Sequence, residues 1–278
     1  MSHDNLTNKQ IELETLYSKN QTLGRLKHYF SEELKSSGLD LDKFFSMNQL
    51  DPSLGYSLLV QMALHRRCKL PVMVGILRAK AGTGQVAADF IDRAITLGLV
   101  QWQDAYEDLV VIEALQIPGH VQRELDLFQY PLPMVIQPKA VKSNRDTGYM
   151  TQRGSIILKD NHHGGDVCLD HINRMNSIPL KINLDTASMI RNSWRGMDKP
   201  KSGETKEDFE ARKRAFDKYD RTCFEVFARI MEQGDVLHLT HKYDKRGRVY
   251  CQGYHCTYQG NAWNKAVIEL ANKEIVEL

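Results

Sequence analysis

Apolar residues recur at helical spacing through the first part of the chain. A loose period of three to four residues runs over residues 9–29 and breaks before Gly38. Pro52 suits the first turn of a further helix. Residues 86–95 carry another apolar face, and Gly98 is placed to end that helix. This part of the chain is therefore predicted to be helical.

The pattern changes at residues 129–133, where two prolines precede the apolar run of residues 134–136. Proline restricts the residue before it to extended conformations, so an extended segment is predicted here. Residues 155–159 have the length and composition of a short strand. Helical spacing returns from residue 171 to about residue 190, with an interruption at Pro179.

A long amphipathic helix is predicted after a loop at residues 198–203. Thr205 and Asp208 have the spacing of a capping box, with aspartate in place of the usual glutamate or glutamine. The helix that follows has one apolar stripe and one surface rich in lysine and arginine, and Gly234 is placed to end it.

The last part of the chain mixes strand and helix patterns. Residues 236–240 alternate like a strand, and a basic turn over residues 242–248 leads back to extended residues. A final helix is predicted around residues 263–270. Together these elements predict an α+β fold that is mainly α-helical.

Composition narrows the classes of function. The 278 residues are 42% hydrophobic and 26% charged, which is enough apolar material for a sizeable core. The formal net charge of +2 is too small for a chain that only coats nucleic acid, so any such contact must come from local clusters. The five cysteines follow no secretory signal and are expected to be reduced, and no apolar run is long enough for a membrane span.

The segment Asp-Lys-Arg-Gly-Arg-Val-Tyr at residues 244–250 is the most informative one. Glycine allows a tight turn and a close approach of two backbones. Arginine forks match phosphate oxygens and also stack on bases. Tyr243, Tyr250 and Tyr254 are expected to offer aromatic faces for stacking. From composition alone, a solvated hairpin tip that binds nothing is the favoured alternative.

This segment resembles the DxxGR signature of the single-subunit RNA polymerases of T7-like phages and mitochondria. The motif maps onto Asp244, Arg246, Gly247, Arg248 and Tyr250. In that family it opens the palm and contacts the template strand near the growing hybrid. The basic helix before it stands where the family places its thumb, which wraps the RNA–DNA hybrid.

The resemblance extends to both sides of the motif. Residues 259–261 and Lys265 resemble the family's continuation, although the spacing from the motif is one residue longer here. Residues 131–149 resemble a segment that ends in a Gly-Gly-Tyr-like turn, of which only Gly148 is present as glycine. Residues 172–183 resemble the helix before the thumb, with Ile178-Pro179 as a departure. The similarity runs from about residue 129 to the end and is faint before it.

The resemblance implies a right-hand polymerase arrangement in three parts: an N-terminal domain at residues 1–190, a thumb at residues 191–234 and the start of the palm at residues 235–278. The family's two catalytic aspartates lie C-terminal to the portion that matches this chain. No catalytic residue and no metal ligand are therefore expected in this chain. A large subunit would supply the aspartates and hold Mg²⁺, as in the heterodimeric polymerases of enquatroviruses, the N-four-like coliphages.

The resemblance also implies which residues contact nucleic acid and which molecules take part. The partners would be the large subunit, template DNA, nascent RNA and ribonucleoside triphosphates, with an accessory single-stranded-DNA-binding factor as a further possibility. The expected location is the cytoplasm of an infected bacterium. The predicted contact residues are Arg212, Lys213, Lys218, Lys242, Lys245, Arg246, Gly247, Arg248, Tyr250 and Lys265.

Two other functions stay open at this point. The chain could be a non-catalytic DNA-binding or transcription-regulatory protein with a polymerase-derived surface, or an interaction protein whose basic turn binds nothing. An exposed apolar patch near the C-terminus would favour the polymerase, because a half-built palm must be covered. A core that covers itself would favour either alternative.

Several clusters contain ligand-type residues without the spacing of a known site. This holds for possible zinc sites among histidines and cysteines and for scattered aspartates. Residues 82–84 likewise lack the spacing of a phosphate-binding P-loop. No metal is expected at any of them. The residues concerned are His162, His163, Cys168, His171, Cys251, His255, Cys256, Asp166, Asp170 and Asp185.

Overall fold

The computed structural model describes residues 3–104, 108–190 and 199–272. The fold is α+β, about 54% helical, with small antiparallel sheets. This confirms the mainly helical α+β class predicted from the hydrophobic pattern. Within the described residues, no helix combines the length and the apolar character that crossing a bilayer would require.

The helices follow one another along the chain with these bounds: α1 (His3–Lys19), α2 (Thr22–His28), α3 (Leu34–Ser36), α4 (Leu41–Met47), α5 (Pro52–His65), α6 (Leu70–Ala81), α7 (Gly84–Thr96), α8 (Gly119–Phe128), α9 (Leu169–Ser177), α10 (Leu184–Met189), α11 (Lys206–Met231) and α12 (Ala262–Val267). A π-helix at Tyr29–Glu33 joins α2 to α3, and short 3₁₀ helices lie at Glu113–Leu115 and Leu158–Asp160.

The strands are short and pair in antiparallel fashion in separate sheets. One sheet has the order β1-β3-β2, and the others pair β4 with β7 and β5 with β6. Their bounds are β1 (Arg67–Lys69), β2 (Val100–Gln103), β3 (Asp108–Val111), β4 (Leu180–Ile182), β5 (His241–Tyr243), β6 (Val249–Cys251) and β7 (Ile268–Leu270).

The chain forms two compact units. Residues 19–126 form one, here called the inserted unit, and residues 1–18 with residues 127–278 form the other, here called the terminal unit. The predicted boundaries near residues 190 and 234 both fall inside the terminal unit. The names N-terminal domain, thumb and palm for the three predicted parts stay predictions.

The helices of the inserted unit begin where short polar side chains can cap them. The Asp51 carboxylate accepts a hydrogen bond from the Leu54 backbone N–H at 2.9 Å, directly before Pro52 in the first turn of α5. The Thr83 hydroxyl accepts from Val86 N–H at 3.2 Å and caps α7. These contacts confirm the predicted helix starts, and α5 and α7 bury their apolar faces in one core.

The main core of the terminal unit gathers apolar side chains from α11, α12, β4, β7 and the segments between them. Phe227 and Trp263 stack with ring centroids 5.6 Å apart. Thr205 caps α11 by accepting from Asp208 N–H at 3.1 Å, which confirms the predicted capping residue. Most of the predicted apolar stripe of α11 is buried, although Phe216 is only partly buried and Thr222 is buried without having been predicted. The buried members of the stripe are Phe209, Tyr219, Cys223, Val226, Phe227 and Ile230.

Two helical predictions near the C-terminus are wrong in part. The pattern from residue 171 to 190 is divided by strand β4, and the helix predicted to reach residue 270 ends at Val267. The reason is non-local, since β4 and β7 pair with Leu180 opposite Leu270 and Ile182 opposite Ile268. Strand pairing between segments far apart in sequence outweighs the local helical spacing.

Other boundaries also differ from the predicted ones. The predicted helix over residues 9–29 is divided between α1 and α2 at residues 20 and 21. The predicted strand at residues 236–240 forms only isolated bridges at Leu237 and His238, and the hairpin strand begins at His241. The predicted strand at residues 155–159 contributes one bridge at Ile157 and then turns into a 3₁₀ helix.

Candidate nucleic-acid interface

The DxxGR segment forms the tip of the β5–β6 hairpin. Lys242 lies opposite Tyr250 and Tyr243 lies opposite Val249. Because successive strand residues point to opposite faces, Lys242 and Tyr250 share one face of the hairpin. Tyr243 lies on the other face and is buried. The expectation that Tyr243 offers a stacking face is therefore wrong.

Asp244 organises the backbone of the tip. Its Oδ1 accepts hydrogen bonds from the N–H groups of Arg246 at 2.8 Å and Arg248 at 3.0 Å. Its carbonyl oxygen accepts from Gly247 N–H at 3.0 Å, and its own N–H donates to the Arg248 carbonyl at 2.9 Å. Gly247 has φ of +78°, a left-handed conformation that glycine adopts without steric cost.

The same carboxylate holds both arginine side chains. Asp244 Oδ2 lies 2.9 Å from Arg248 Nε and 3.2 Å from both Nε and Nη2 of Arg246. The Asp244 side chain is only 13% exposed, whereas those of Arg246 and Arg248 are 63% and 53% exposed. A covered acid thus orients two accessible guanidinium groups. The contact with Arg248 uses Nε and leaves both Nη groups outside it.

Electrostatics keep this arrangement charged. Partial desolvation acts to raise the pKa of Asp244, but hydrogen bonds from the Arg248 backbone and guanidinium outweigh it, and the pKa is lowered. The hydrogen bond to Asp244 raises the pKa of Arg248. Arg248 also lies over the ring of Tyr250, 5.6 Å from its centroid. Lys245 is exposed on the same tip.

The segment at residues 259–261 packs against strand β6 of the hairpin. Gln259 Oε1 accepts from Cys251 N–H at 2.9 Å and its Nε2 donates to the Val249 carbonyl at 3.1 Å, so this side chain occupies the outer edge of β6. A Cβ on Gly260 would lie 2.6 Å from Asn264 Oδ1, so the close approach requires glycine. Asn261 Oδ1 caps α12 by accepting from Asn264 N–H at 2.8 Å.

A buried polar layer lies on the inner face of the hairpin. His241 Nδ1 is 2.9 Å from Asn176 Oδ1, and its Nε2 is 2.7 Å from the Tyr258 hydroxyl. Burial, with a smaller contribution from His171, lowers the pKa of His241 to about 4. His238 Nδ1 lies 3.2 Å from the Asn176 carbonyl oxygen. The histidines therefore connect the hairpin to α9 as neutral groups.

A cleft of about 360 Å³ opens beside the tip. Tyr250 forms part of its wall, and Tyr254 is partly exposed with one ring face stacked on Tyr130 at 4.1 Å. The Tyr219 hydroxyl donates to Asn264 Oδ1 at 3.0 Å. The cleft is lined by Tyr219, Tyr250, Cys251, Gly253, Tyr254, Thr257, Gln259, Gly260, Asn261 and Asn264.

The predicted residues of α11 differ in their surroundings. Arg212 binds Glu204 through two contacts, Nε to Oε1 at 2.8 Å and Nη2 to Oε2 at 2.7 Å. That pairing lowers the pKa of Glu204 to about 2. Lys213 lies 4.4 Å from the centroid of the Phe209 ring and 3.7 Å from Glu210. Lys218 is exposed.

The structure thus brings together part of the predicted set. Arg246, Gly247, Arg248 and Tyr250 meet at the tip around Asp244. On α11, Lys218 directly precedes Tyr219 at the cleft, whereas Arg212 is tied to the loop before the helix. Lys265 lies exposed on α12.

Sequence reasoning missed two residues of this site. The sequence pattern places Asp244 in the motif but predicts no role for its carboxylate, and Gln259 enters only through the resemblance of residues 259–261. The signal for Asp244 was its position two and four residues before the arginines, which suits side-chain-to-backbone bonds in a turn. No local sequence signal marks Gln259, because its side chain bonds to the backbone of Val249 and Cys251, eight to ten residues earlier in the chain.

The comparisons with known proteins identify no family for this chain, and the described residues contain no recognisable metal site. Among residues 3–104, 108–190 and 199–272, no three His, Cys, Asp or Glu side chains lie together so that they could hold a metal ion. No protein-family model matches this chain, and no curated protein sequence matches it. The function is therefore inferred from the chemistry of the hairpin and its surroundings.

Proposed function

We propose that this chain is the small subunit of a heterodimeric DNA-directed RNA polymerase, in which it holds the template strand and the RNA–DNA hybrid. One observation carries the proposal. Within an Asp-x-x-Gly-Arg context, the nearly covered Asp244 carboxylate orients the accessible guanidinium groups of Arg246 and Arg248. Orienting two cations at an exposed tip suits recognition of a phosphodiester backbone.

The chemistry of the tip fits a polyanion better than a solvated loop. Four cationic residues, Lys242, Lys245, Arg246 and Arg248, accompany a single carboxylate between residues 242 and 250. Guanidinium groups bind phosphate through paired N–H donors, and Tyr250 with the adjacent cleft offers aromatic surface for a base. Both contacts are independent of base sequence, as a strand-holding subunit requires.

The role proposed for α11 is narrower than the sequence suggested. Arg212 serves the protein itself, because its pairing with Glu204 holds the loop before the helix. Lys218 is exposed next to the cleft residue Tyr219, and it is the α11 cation that best fits a contact with the hybrid backbone. Lys213 and Lys265 would add electrostatic attraction at longer range.

Exposed apolar side chains fit the presence of a second subunit. Met189 at the end of α10 is 83% exposed, and Leu270 in β7 is 58% exposed. Leu184 and Ile190 are exposed as well. Exposure of large apolar side chains to water is unfavourable, and a partner surface that covers them removes this cost. An incomplete palm is expected to expose such side chains for its partner.

In the proposed complex the chemistry belongs to the large subunit. That subunit would supply the two aspartates and hold Mg²⁺, which stabilises the attacking and leaving oxygens of nucleotidyl transfer from ribonucleoside triphosphates. This chain would position the template and retain the hybrid. The proposed setting is the cytoplasm of an infected bacterium, where an accessory single-stranded-DNA-binding factor would help to load the template.

The test is transcription on single-stranded DNA with purified components. Three samples are assayed: this chain alone, a large subunit that carries the two palm aspartates alone, and the two mixed. RNA synthesis by the mixture only is the expected result. Full activity of the large subunit alone would reduce this chain to a regulator. Absence of both synthesis and subunit association would leave a DNA-binding protein without a polymerase partner.

A further inference from the structure

We propose that the nucleic-acid contact of the hairpin continues along residues 139–160, where Arg153 and Lys159 hold the sugar-phosphate backbone of the same single strand. Residues 139–160 are here called the lateral segment. The inference rests on the proposed function, because it extends the path of the strand that the hairpin tip is proposed to bind. It gives a contact role to two residues for which the sequence predicts none.

The lateral segment is joined to the hairpin through Ile156 and Ile157. The Ile156 carbonyl oxygen accepts a hydrogen bond from the Tyr243 N–H at 2.8 Å, and Ile157 forms a parallel bridge with Tyr243. The side chains of all three residues are buried in one apolar cluster of the terminal unit. Backbone bonding and shared burial therefore fix the lateral segment beside strand β5.

The direction of this bridge places Lys159 near the hairpin tip. Because the two chains run the same way, Lys159 and Lys245 each lie two residues beyond the bridged pair, at the same end of it. With strands about 5 Å apart and consecutive Cα atoms about 3.8 Å apart, the Cα atoms of these two lysines are at most about 20 Å apart. A single strand bound at the tip can therefore reach Lys159 within a few nucleotides.

The lateral segment is strongly basic for its length. It contains five lysines and arginines and two aspartates, a net charge of +3, against +2 for all 278 residues. Arg153 and Lys159 are exposed, and neither side chain forms an ion pair or a hydrogen bond within the part of the chain that the structure describes. Arg145 is exposed as well, but it shares a cleft with Asp166. The contact is therefore assigned to Arg153 and Lys159.

The backbone conformation of Lys159 supports a role for its side chain. Lys159 has φ of +58° and ψ of +25°, a left-handed conformation that glycine and asparagine adopt more readily than lysine. Because the side chain is exposed, little packing offsets the cost of holding a lysine in this conformation. Backbone strain of this kind is concentrated at binding sites, where a particular side chain must be presented.

The experiment measures binding of the full chain to labelled oligodeoxythymidylate and oligouridylate of about 16 nucleotides by fluorescence anisotropy over a range of salt concentrations. A double variant with Arg153→Gln and Lys159→Asn should bind at least fivefold more weakly, and its log affinity should fall less steeply with log salt by about 1.4, for two lost phosphate contacts. Its midpoint of thermal unfolding should stay the same or rise, because asparagine suits the left-handed backbone. A control with Lys27→Gln and Lys43→Gln removes two exposed charges of the inserted unit and should bind within twofold of wild type.

The outcomes separate the lateral contact from the proposed function. Weaker binding of thymidylate only would assign the lateral segment to template DNA, and weaker binding of uridylate only would assign it to RNA; either result, or both, supports the proposal. A double variant that binds like the control would overturn it. If Arg248→Ala still weakens binding in that case, the tip keeps its role and only the lateral contact fails. Loss of association with the large subunit, with strand binding unchanged, would also overturn the proposal and identify a protein contact.

Discussion

The Asp244 carboxylate accepts two hydrogen bonds from Arg248 at the tip of the hairpin, from the backbone N–H to Oδ1 at 3.0 Å and from the guanidinium Nε to Oδ2 at 2.9 Å. One carboxylate therefore shapes the turn and orients the side chain that the turn presents. In the proposed interface Asp244 is a positioning residue, and its negative charge is an unavoidable part of a site for a polyanion.

The substitution Asp244→Ala separates positioning from net charge. Removing an acid raises the local positive charge, so attraction alone predicts tighter binding of single-stranded DNA. We expect several-fold weaker binding instead, because Arg246 and Arg248 lose the acceptor that orders their backbone and side chains. Fluorescence anisotropy with a labelled single strand measures the affinity. Glu12→Ala removes an exposed acid of α1 and provides the matched control, and tighter binding by Asp244→Ala would contradict the positioning role.

Replacing Arg248 tests the contact with phosphate directly. We expect Arg248→Ala to stop elongation by the reconstituted polymerase while the two subunits still associate, because the side chain is exposed and the residue packs little. The slope of log affinity against log salt is negative, and for single strands one lost phosphate contact should make it less steep by about 0.7. Lys27→Ala, an exposed cation of the inserted unit, serves as the control. Wild-type elongation by the Arg248 variant would show that the contact lies elsewhere.

Much of the helical framework follows from local sequence, because caps and apolar periodicity are local signals. Thr205, Asp51 and Pro52 mark helix starts that the structure contains. The polar residues of α1 show the limit of this reasoning. Gln10 and Glu14 have the pattern of a solvated face, yet both are almost fully buried. Their partners come from residues 134–151, which no local pattern connects to α1.

Glu14 is therefore predicted to be a major determinant of stability. Its carboxylate accepts hydrogen bonds from the N–H groups of Met150 at 2.8 Å and Thr151 at 2.6 Å, and from the Thr151 hydroxyl at 2.6 Å. Glu14→Ala removes the acceptor of these part-buried donors, and we expect a loss of about 1–3 kcal/mol in the free energy of unfolding, because water can reach Thr151 and replace only some of the lost bonds. Urea denaturation measures it, with the exposed Glu12→Ala as control; a loss below about 0.5 kcal/mol would mean that water replaces the carboxylate.

The hairpin site was predictable in part for a similar reason. Arg246, Gly247 and Arg248 stand out because turn chemistry and charge are visible in a short segment. The use of Gln259 to cover the edge of β6 and the pairing of β7 with β4 depend on tertiary contacts. The prediction for Tyr243 is wrong because alternation along the strand decides which tyrosine is exposed, and β5 begins at His241, later than the predicted strand at residues 236–240.

Gly148 tests the packing beneath the hairpin. A Cβ at this position would lie 2.7 Å from Pro138 Cβ and 3.3 Å from both Asn176 Nδ2 and Thr240 Cγ2. Because these neighbours are held by the chain around them, Gly148→Ala should reduce the free energy of unfolding by about 1–3 kcal/mol. At Gly164, an added Cβ meets no atom within 4 Å, so Gly164→Ala is the matched control. Equal stability of the two variants would show that the segment around residue 148 can shift to accommodate the added methyl group at little cost.

The last prediction concerns pH and the buried His241. Burial lowers its pKa to about 4, below the value near 6.5 of an unfolded histidine. Between those values the unfolded chain binds a proton that the folded chain does not, so stability is complete above about pH 6.5 and declines as the pH falls towards 4. At about 1.4 kcal/mol for each unit of pKa, this histidine alone accounts for roughly 3 kcal/mol of the decline. Burial lowers the pKa of His238 as well, so its contribution has the same sign.

Urea denaturation at several values between pH 7.5 and pH 4.5 measures this dependence. His241→Gln should be less stable than wild type at pH 7.5, because the contacts to Asn176 and Tyr258 are disturbed, yet it should lose less stability as the pH falls. The two curves should therefore converge at low pH. His65→Gln changes an exposed histidine of the inserted unit and should follow the wild-type curve. If His241→Gln instead declines in parallel with wild type, the acid sensitivity belongs to carboxylates, and His241 is charged in the folded protein at low pH without penalty.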